Sequence, residues 1–138
     1  MAEVEEERDL YRASHRFARI SPRKARLLMD LVRGRDVDDA LTLLRFAKQR
    51  ASGMIEKVIR SAVANANEGP VAPRGTLYVA KAWVDPGPVI KRFQPKDRGK
   101  AYPINKRTSH LVVTIDQRED GVKVRRKMVV GGRPGKAT

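Results

Sequence analysis

Hydrophobic positions recur at helical spacing through the first half of the chain and at alternate residues through much of the second, and this change of period divides the sequence into elements. Residues 11–20, YRASHRFARI, place Tyr11, Ala13, His15 and Phe17 at alternate positions between Arg12, Arg16 and small residues, which predicts a strand. Ser21 before Pro22 has the form of a helix N-cap followed by the first helical residue. Ala25, Leu28, Met29 and Val32 then repeat with the helix until Gly34, predicting a helix over 22–33. Asp36 can cap a second helix, with Asp38 and Asp39 in its electropositive first turn and Ala40, Leu43, Leu44 and Ala47 as the buried stripe. A third runs from about 49 to 67 on Ala51, Ile55, Val58, Ile59, Ala62 and Ala66, with Gly69 and Pro70 to stop it.

Beyond that point the pattern alternates. Residues 76–84, TLYVAKAWV, and 109–116, SHLVVTID, are rich in β-branched and aromatic side chains and predict two strands. Between them, residues 85–107 carry four prolines, two glycines and seven basic residues, with too few apolar side chains to build a core. The pattern by itself reads this stretch as a long loop. Extended as two arms it would reach on the order of 35 Å at ~3.3 Å per residue. Residues 117–138 are basic and end GGRPGKAT, a tail in which 122–130 could add an edge strand. The expected organisation is an acidic segment 1–10, one domain over 11–116 and the basic tail; there is no internal repeat.

Composition narrows the function. Thirty Lys and Arg against sixteen Asp and Glu give a formal charge of +14, an excess that attracts polyanions and points to nucleic acid. The absence of cysteine removes disulfides and thiolate chemistry and fits a reducing compartment. The acidic start MAEVEEERDL is unlike a secretory or organelle leader, so the protein is expected to stay where it is made, in the cytoplasm. No apolar run is long enough for a membrane span. No heptad suggests a homo-oligomer.

Arg23 and Lys24 stand in the first turn of the first helix, where the dipole disfavours cations by about 0.3–1 kcal/mol each, so an anion is expected nearby. With Arg19, Arg26 and Arg33 they can form a face for a phosphate backbone. In the long loop, Lys91, Arg92, Lys96, Arg98, Lys100, Lys106 and Arg107 repel one another unless a polyanion surrounds them. Phe93 and Tyr102 sit among them as candidates to stack on unpaired bases. Trp83, in an alternating strand, is read as core. His15 and His110 have no ligand cluster, so no metal is expected; no cofactor is implied, and no nucleophile, paired carboxylates or complete phosphate loop presents itself for catalysis. A DNA-compacting protein shares the charge but would need a recognition helix that the sequence does not offer.

Three stretches have a familiar form: ARISPRKARLLMDLVRG, the SAVANANE ending the third helix, and VDPGPVIKR followed by GKA and KRTSHLVVTI. Over about Arg12 to Asp116 they resemble the L-twenty-two family of large-subunit ribosomal proteins. The resemblance implies an α+β fold, three helices on a small antiparallel sheet with a long β-hairpin projecting from it. It further implies a non-enzymatic protein that binds large-subunit ribosomal RNA, supports subunit assembly, neighbours other ribosomal proteins and lines the exit tunnel, beside the nascent peptide, with the hairpin. RNA contact transfers by matching residue type to Arg19, Ser21, Arg23, Lys24, Arg26 and Asn65, and to Lys91, Arg92, Arg98, Gly99, Lys100, Lys106, Arg107, Ser109 and His110 in and beside the hairpin. Asp97 departs from the family pattern by placing an acid at the loop tip.

Overall fold

The computed structural model describes residues 11–68 and 77–117. In chain order these form β1 (Tyr11–Ala18), α1 (Pro22–Val32), α2 (Val37–Phe46), α3 (Ala51–Glu68), β2 (Leu77–Lys96) and β3 (Lys100–Gln117). The strands make an antiparallel sheet in the order β1-β3-β2, so the α+β architecture with a long hairpin is borne out. The acidic segment 1–10, the stop at Gly69–Pro70 and the tail from 118 on, with its suggested strand over 122–130, lie outside the described residues, while Gln117, expected to begin the tail, is the last residue of β3.

The three helices cover one face of the sheet because their apolar stripes match its inward positions. Leu28, Met29 and Val32 of α1, Leu44 of α2, and Ile55 and Ile59 of α3 pack against Leu77, Val79, Leu111, Val113 and Ile115 in one cluster. Burying a side chain of that size contributes about 1.5–3 kcal/mol, and β3, central in the sheet, contributes most densely: residues 111–116 are all buried. Ser21 and Asp36 occupy the N-cap positions of α1 and α2 with extended backbone, but neither side chain makes a capping hydrogen bond. The α1–α2 connector is stitched to β2 instead: Gly34 N donates to Val79 O and Val79 N to Arg35 O, both at 2.9 Å.

Two sequence expectations are corrected. The run over 85–107 is no irregular loop. Its backbone pairs from Val89↔Arg107 to Lys96↔Lys100, so the anchoring strands extend to form the hairpin itself. The alternation in β1 also fails at its end. The register slips between His15 and Ala18, leaving Ala18 buried and turning the Phe17 ring outward at 55% exposure. Phe17 adopts φ 59°, a left-handed conformation costing roughly 1–2 kcal/mol for a side chain with a Cβ. Its N–H donates to His110 Nδ1 at 3.0 Å and its ring meets the imidazole edge-on at 5.0 Å, contacts that hold the strained residue in place.

Candidate nucleic-acid interface

Where the hairpin leaves the sheet, its direction is set by a bulge. Pro86 pairs with Ser109 and Val89 with Arg107, so Gly87 and Pro88 stand opposite Thr108 alone. Thr108 Oγ1 donates to Pro88 O at 2.6 Å. A Cβ on Gly87 would lie 2.6 Å from that hydroxyl oxygen and 3.2–3.3 Å from Thr108 backbone atoms, so the close approach requires glycine here. Proline on both sides keeps the bulged strand extended without asking the ladder for two N–H donors. At the far end Arg98 and Gly99 take φ 56° and 76°, the signs required at the centre of a type I′ hairpin turn, and Lys100 N donates to Asp97 O at 3.3 Å. Asp97 thus supplies a turn acceptor through its backbone.

The bulge carries the hairpin base past the N-terminus of α1, and the two enclose a cleft of about 850 Å³. Arg19, Ser21 and Lys24 line one side; Ile90, Arg92, Asn105, Lys106, Arg107 and Thr108 line the other; Arg50, just ahead of α3, closes it. Six basic residues therefore line one cleft that has no acidic residue in its lining. The first bond of the α1 ladder runs from Ala25 N to Ser21 O, so the N–H groups of Arg23 and Lys24 have no place in that ladder and point out of the helix start. No acid occupies that turn. Free N–H donors, a positive helix end and six cations form a setting for phosphate oxygens.

The sequence-predicted residues divide among several settings. Arg19, Ser21, Lys24, Arg92, Lys106 and Arg107 come together in the cleft, and Arg23 lies in the adjoining first turn. Lys91 lies level with the cleft but outside its lining, and Lys96, Arg98, Gly99 and Lys100 are strung along the exposed arm beyond it. Phe93 and Tyr102 are 74% and 47% exposed, and the register sets them on opposite faces of the ribbon; Lys96 Nζ lies 5.8 Å from the Tyr102 ring centroid.

Other expected contacts have structural duties. Arg26 donates to Val84 O at 3.2 Å and Arg33 to Ala82 O at 2.9 Å, tying α1 to β2 instead of forming an outward face. Arg33 also pairs with Asp30. Asn65 Nδ2 donates to Arg12 O at 3.0 Å, joining α3 to β1. Ser109 is 0% exposed and its Oγ has no hydrogen-bond partner among the described residues, so its side chain has no access to a ligand in this conformation. His110 is engaged with Phe17 on another side of the sheet. Trp83, read as core from its strand pattern, lies outside the hydrophobic cluster: it is half-buried, with Nε1 donating to Asp85 at 3.1 Å and Arg12 over its ring.

The sequence reading missed Arg50, Asn105, Gly87 and Thr108. A glycine between two prolines where a strand pattern breaks was a legible sign of a bulge; Arg50 carried no local sign, because only packing brings it to the cleft. Among the described residues no cluster of His, Asp or Glu could hold a metal ion, and no helix is long and apolar enough to cross a membrane.

Comparison with known proteins matches the same region. The sequence pattern of the family described as ribosomal protein L22p/L17e fits residues 13–116. The large ribosomal subunit protein uL22 of Thermoanaerobacter sp. (strain X514) is 50% identical over 108 residues, covering 78% of this chain and 97% of that protein. The protein of the same name from Lactobacillus helveticus (strain DPC 4571) is 49% identical over 109 residues, 79% of this chain and 93% of its own length. That of Carboxydothermus hydrogenoformans is 47% identical over 110 residues, with 80% and 97% covered.

Proposed function

The chain belongs to the ribosomal protein L22p/L17e family, and from that premise we propose that it is a structural constituent of the large subunit of the cytoplasmic ribosome that binds large-subunit ribosomal RNA through the basic cleft. The observation that carries the reading is the cleft itself: Arg19, Lys24, Arg50, Arg92, Lys106 and Arg107 converge on it without an acid among them. Cations held that close repel one another in the free protein, and phosphates replace the repulsion with ion pairing and release of condensed counterions. The Arg23–Lys24 turn adds backbone donors for a phosphate, which offsets the unfavourable placement of both side chains against the helix dipole. Contacts of this type position the protein on RNA and carry little sequence information.

The hairpin extends the same surface. From Val89 to Lys96 it projects roughly 25 Å beyond the bulge at ~3.3 Å per residue, with exposed bases along both strands. A ribbon of that form suits insertion between RNA segments, where its tip lines the passage taken by the nascent peptide while bond formation occurs elsewhere. Neighbouring ribosomal proteins complete its partners, and the protein supports subunit assembly as a monomer.

Two measurements test this reading. The endogenous protein should sediment with large subunits in a magnesium-containing gradient; a free or DNA-associated pool with none on subunits contradicts it. Binding of the purified chain to large-subunit RNA should weaken linearly with log salt, and the triple variant Lys24→Ala, Lys106→Ala, Arg107→Ala should flatten the slope by about 1 for each phosphate that is no longer neutralised. An unchanged slope would assign RNA binding to another surface.

A further inference from the structure

The sheet face opposite the helices carries aromatic and basic side chains that neither the core nor the basic cleft uses. Register and alternation place Arg12 and Ser14 of β1, Val112 and His110 of β3, and Trp83 and Asp85 of β2 together on it. A cleft of about 550 Å³ opens on this face, lined by Arg12, Ser14, Arg16, Asp85, His110 and Val112 and by Ala13, with the Trp83 and Phe17 rings outside the lining, against Arg12 and Arg16. On one side Arg12 lies over the Trp83 ring, 5.4 Å from its centroid. On the other, Arg16 lies 5.5 Å from the centroid of the exposed Phe17 ring, which His110 holds edge-on. Asp85 also lines the cleft, and its Oδ2 accepts the indole N–H.

We infer that this face is a second RNA site, one that takes a single unpaired nucleotide between the Arg12–Trp83 and Arg16–Phe17 pairs. Three observations converge on it. Phe17 is held at φ 59° with its ring outward, although a register without the slip would keep the ring on the alternating pattern; an aromatic side chain kept strained and exposed is suited to contact with something outside the fold. Arginine guanidinium planes beside aromatic rings are the platforms on which splayed bases stack, and the same guanidinium groups pair with the flanking phosphates. Asp85 adds selectivity. With one oxygen fixed by Trp83, the other is directed by the carboxylate plane and accepts from an exocyclic amino group, so cytosine, adenine and guanine are favoured over uracil. The inference rests on the RNA-binding reading and adds to the phosphate cleft a contact that distinguishes bases.

Trp83 is the only tryptophan of the chain, so it reports on this face directly. The full chain is titrated with single-stranded oligocytidylate, oligouridylate and a duplex of equal length while indole emission is followed. Oligocytidylate should quench the emission, with oligouridylate weaker by about tenfold and the duplex without effect. Phe17→Gly, which suits the backbone and removes the ring, should weaken oligocytidylate by about tenfold. Asp85→Asn keeps an acceptor for Trp83 and should abolish the preference over uridine. The cleft pair Lys24→Ala, Arg107→Ala should leave the quenching intact while reducing binding to large-subunit RNA. Absence of quenching alongside normal, cleft-dependent RNA binding overturns the inference alone; loss of both overturns the RNA reading as well. Equal quenching by oligocytidylate and a polyglutamate peptide would mark the face as a surface for acidic protein segments and would also overturn it. Should Phe17→Gly fail to fold, the Asp85→Asn comparison decides the matter independently.

Discussion

The two halves of the β2–β3 ladder share one backbone pattern and differ in almost everything else. In the proximal half, Leu77, Val79, Ala82 and Val84 face Leu111, Val113 and Ile115 beneath the helices. In the distal half, from Val89 with Arg107 to Lys96 with Lys100, only Ile90 and Ile104 are half-buried and the other side chains are exposed. The first half is stabilised by apolar burial. The second has cross-strand hydrogen bonds and a turn of the right hand, but a two-stranded ribbon of that kind is marginal in water on its own, and its seven bases repel. The contrast teaches that pairing sets the shape of the arm, while the arm's order depends on what surrounds it.

The largest effect that sharpens this contrast comes from truncating one side chain in each half. Leu111→Ala should cost about 2–5 kcal/mol in chemical denaturation, because the residue is fully buried. Phe93→Ala, on the arm, should stay within about 0.5 kcal/mol. Gly87→Ala comes next, at about 1–3 kcal/mol, since its Cβ meets Thr108 at the junction; a neutral result would show that the bulge relaxes and does not aim the hairpin. Removing the matched pairs Arg92–Lys96 and Lys100–Ile104 while keeping the turn should move the melting temperature by only a few degrees. The same deletion should leave subunit incorporation intact but alter stalling by tunnel-sensing nascent chains; failure to incorporate would make the arm an assembly element first. Amide exchange in the free protein should be slow at residues 111–115 and fast at 90–102, despite the pairing in both. The smallest effect is expected for Ser109→Ala, which removes a buried hydroxyl without a partner and should leave stability and RNA affinity unchanged within about 0.5 kcal/mol.

Helical periodicity made α1, α2 and α3 legible to within two residues at most of their ends, because burial selects apolar positions every turn. The distal hairpin was illegible to the pattern for the converse reason: a ribbon exposed on both faces needs no hydrophobic alternation, so its prolines and bases resembled a loop, and only the family resemblance implied strands. Arg26 and Arg33 looked like surface cations because sequence spacing cannot tell which arginines find a carbonyl on the neighbouring strand. Trp83 misled in the opposite direction. An alternating strand has two faces, and which one receives the helices is decided by the whole sheet. Phe17 was hidden by a register slip that no local signal announces.

The central claim, that the cleft and the hairpin both face RNA, is tested most directly by site-specific photocrosslinking in assembled large subunits. A photoreactive residue is placed at Asn105 in the cleft, at Phe93 on the arm, or at Thr42 on the exposed side of α2. The account predicts strong crosslinks to large-subunit RNA from positions 105 and 93, and weak ones from 42. Strong crosslinking from 42, with none from 105 and 93, would contradict it.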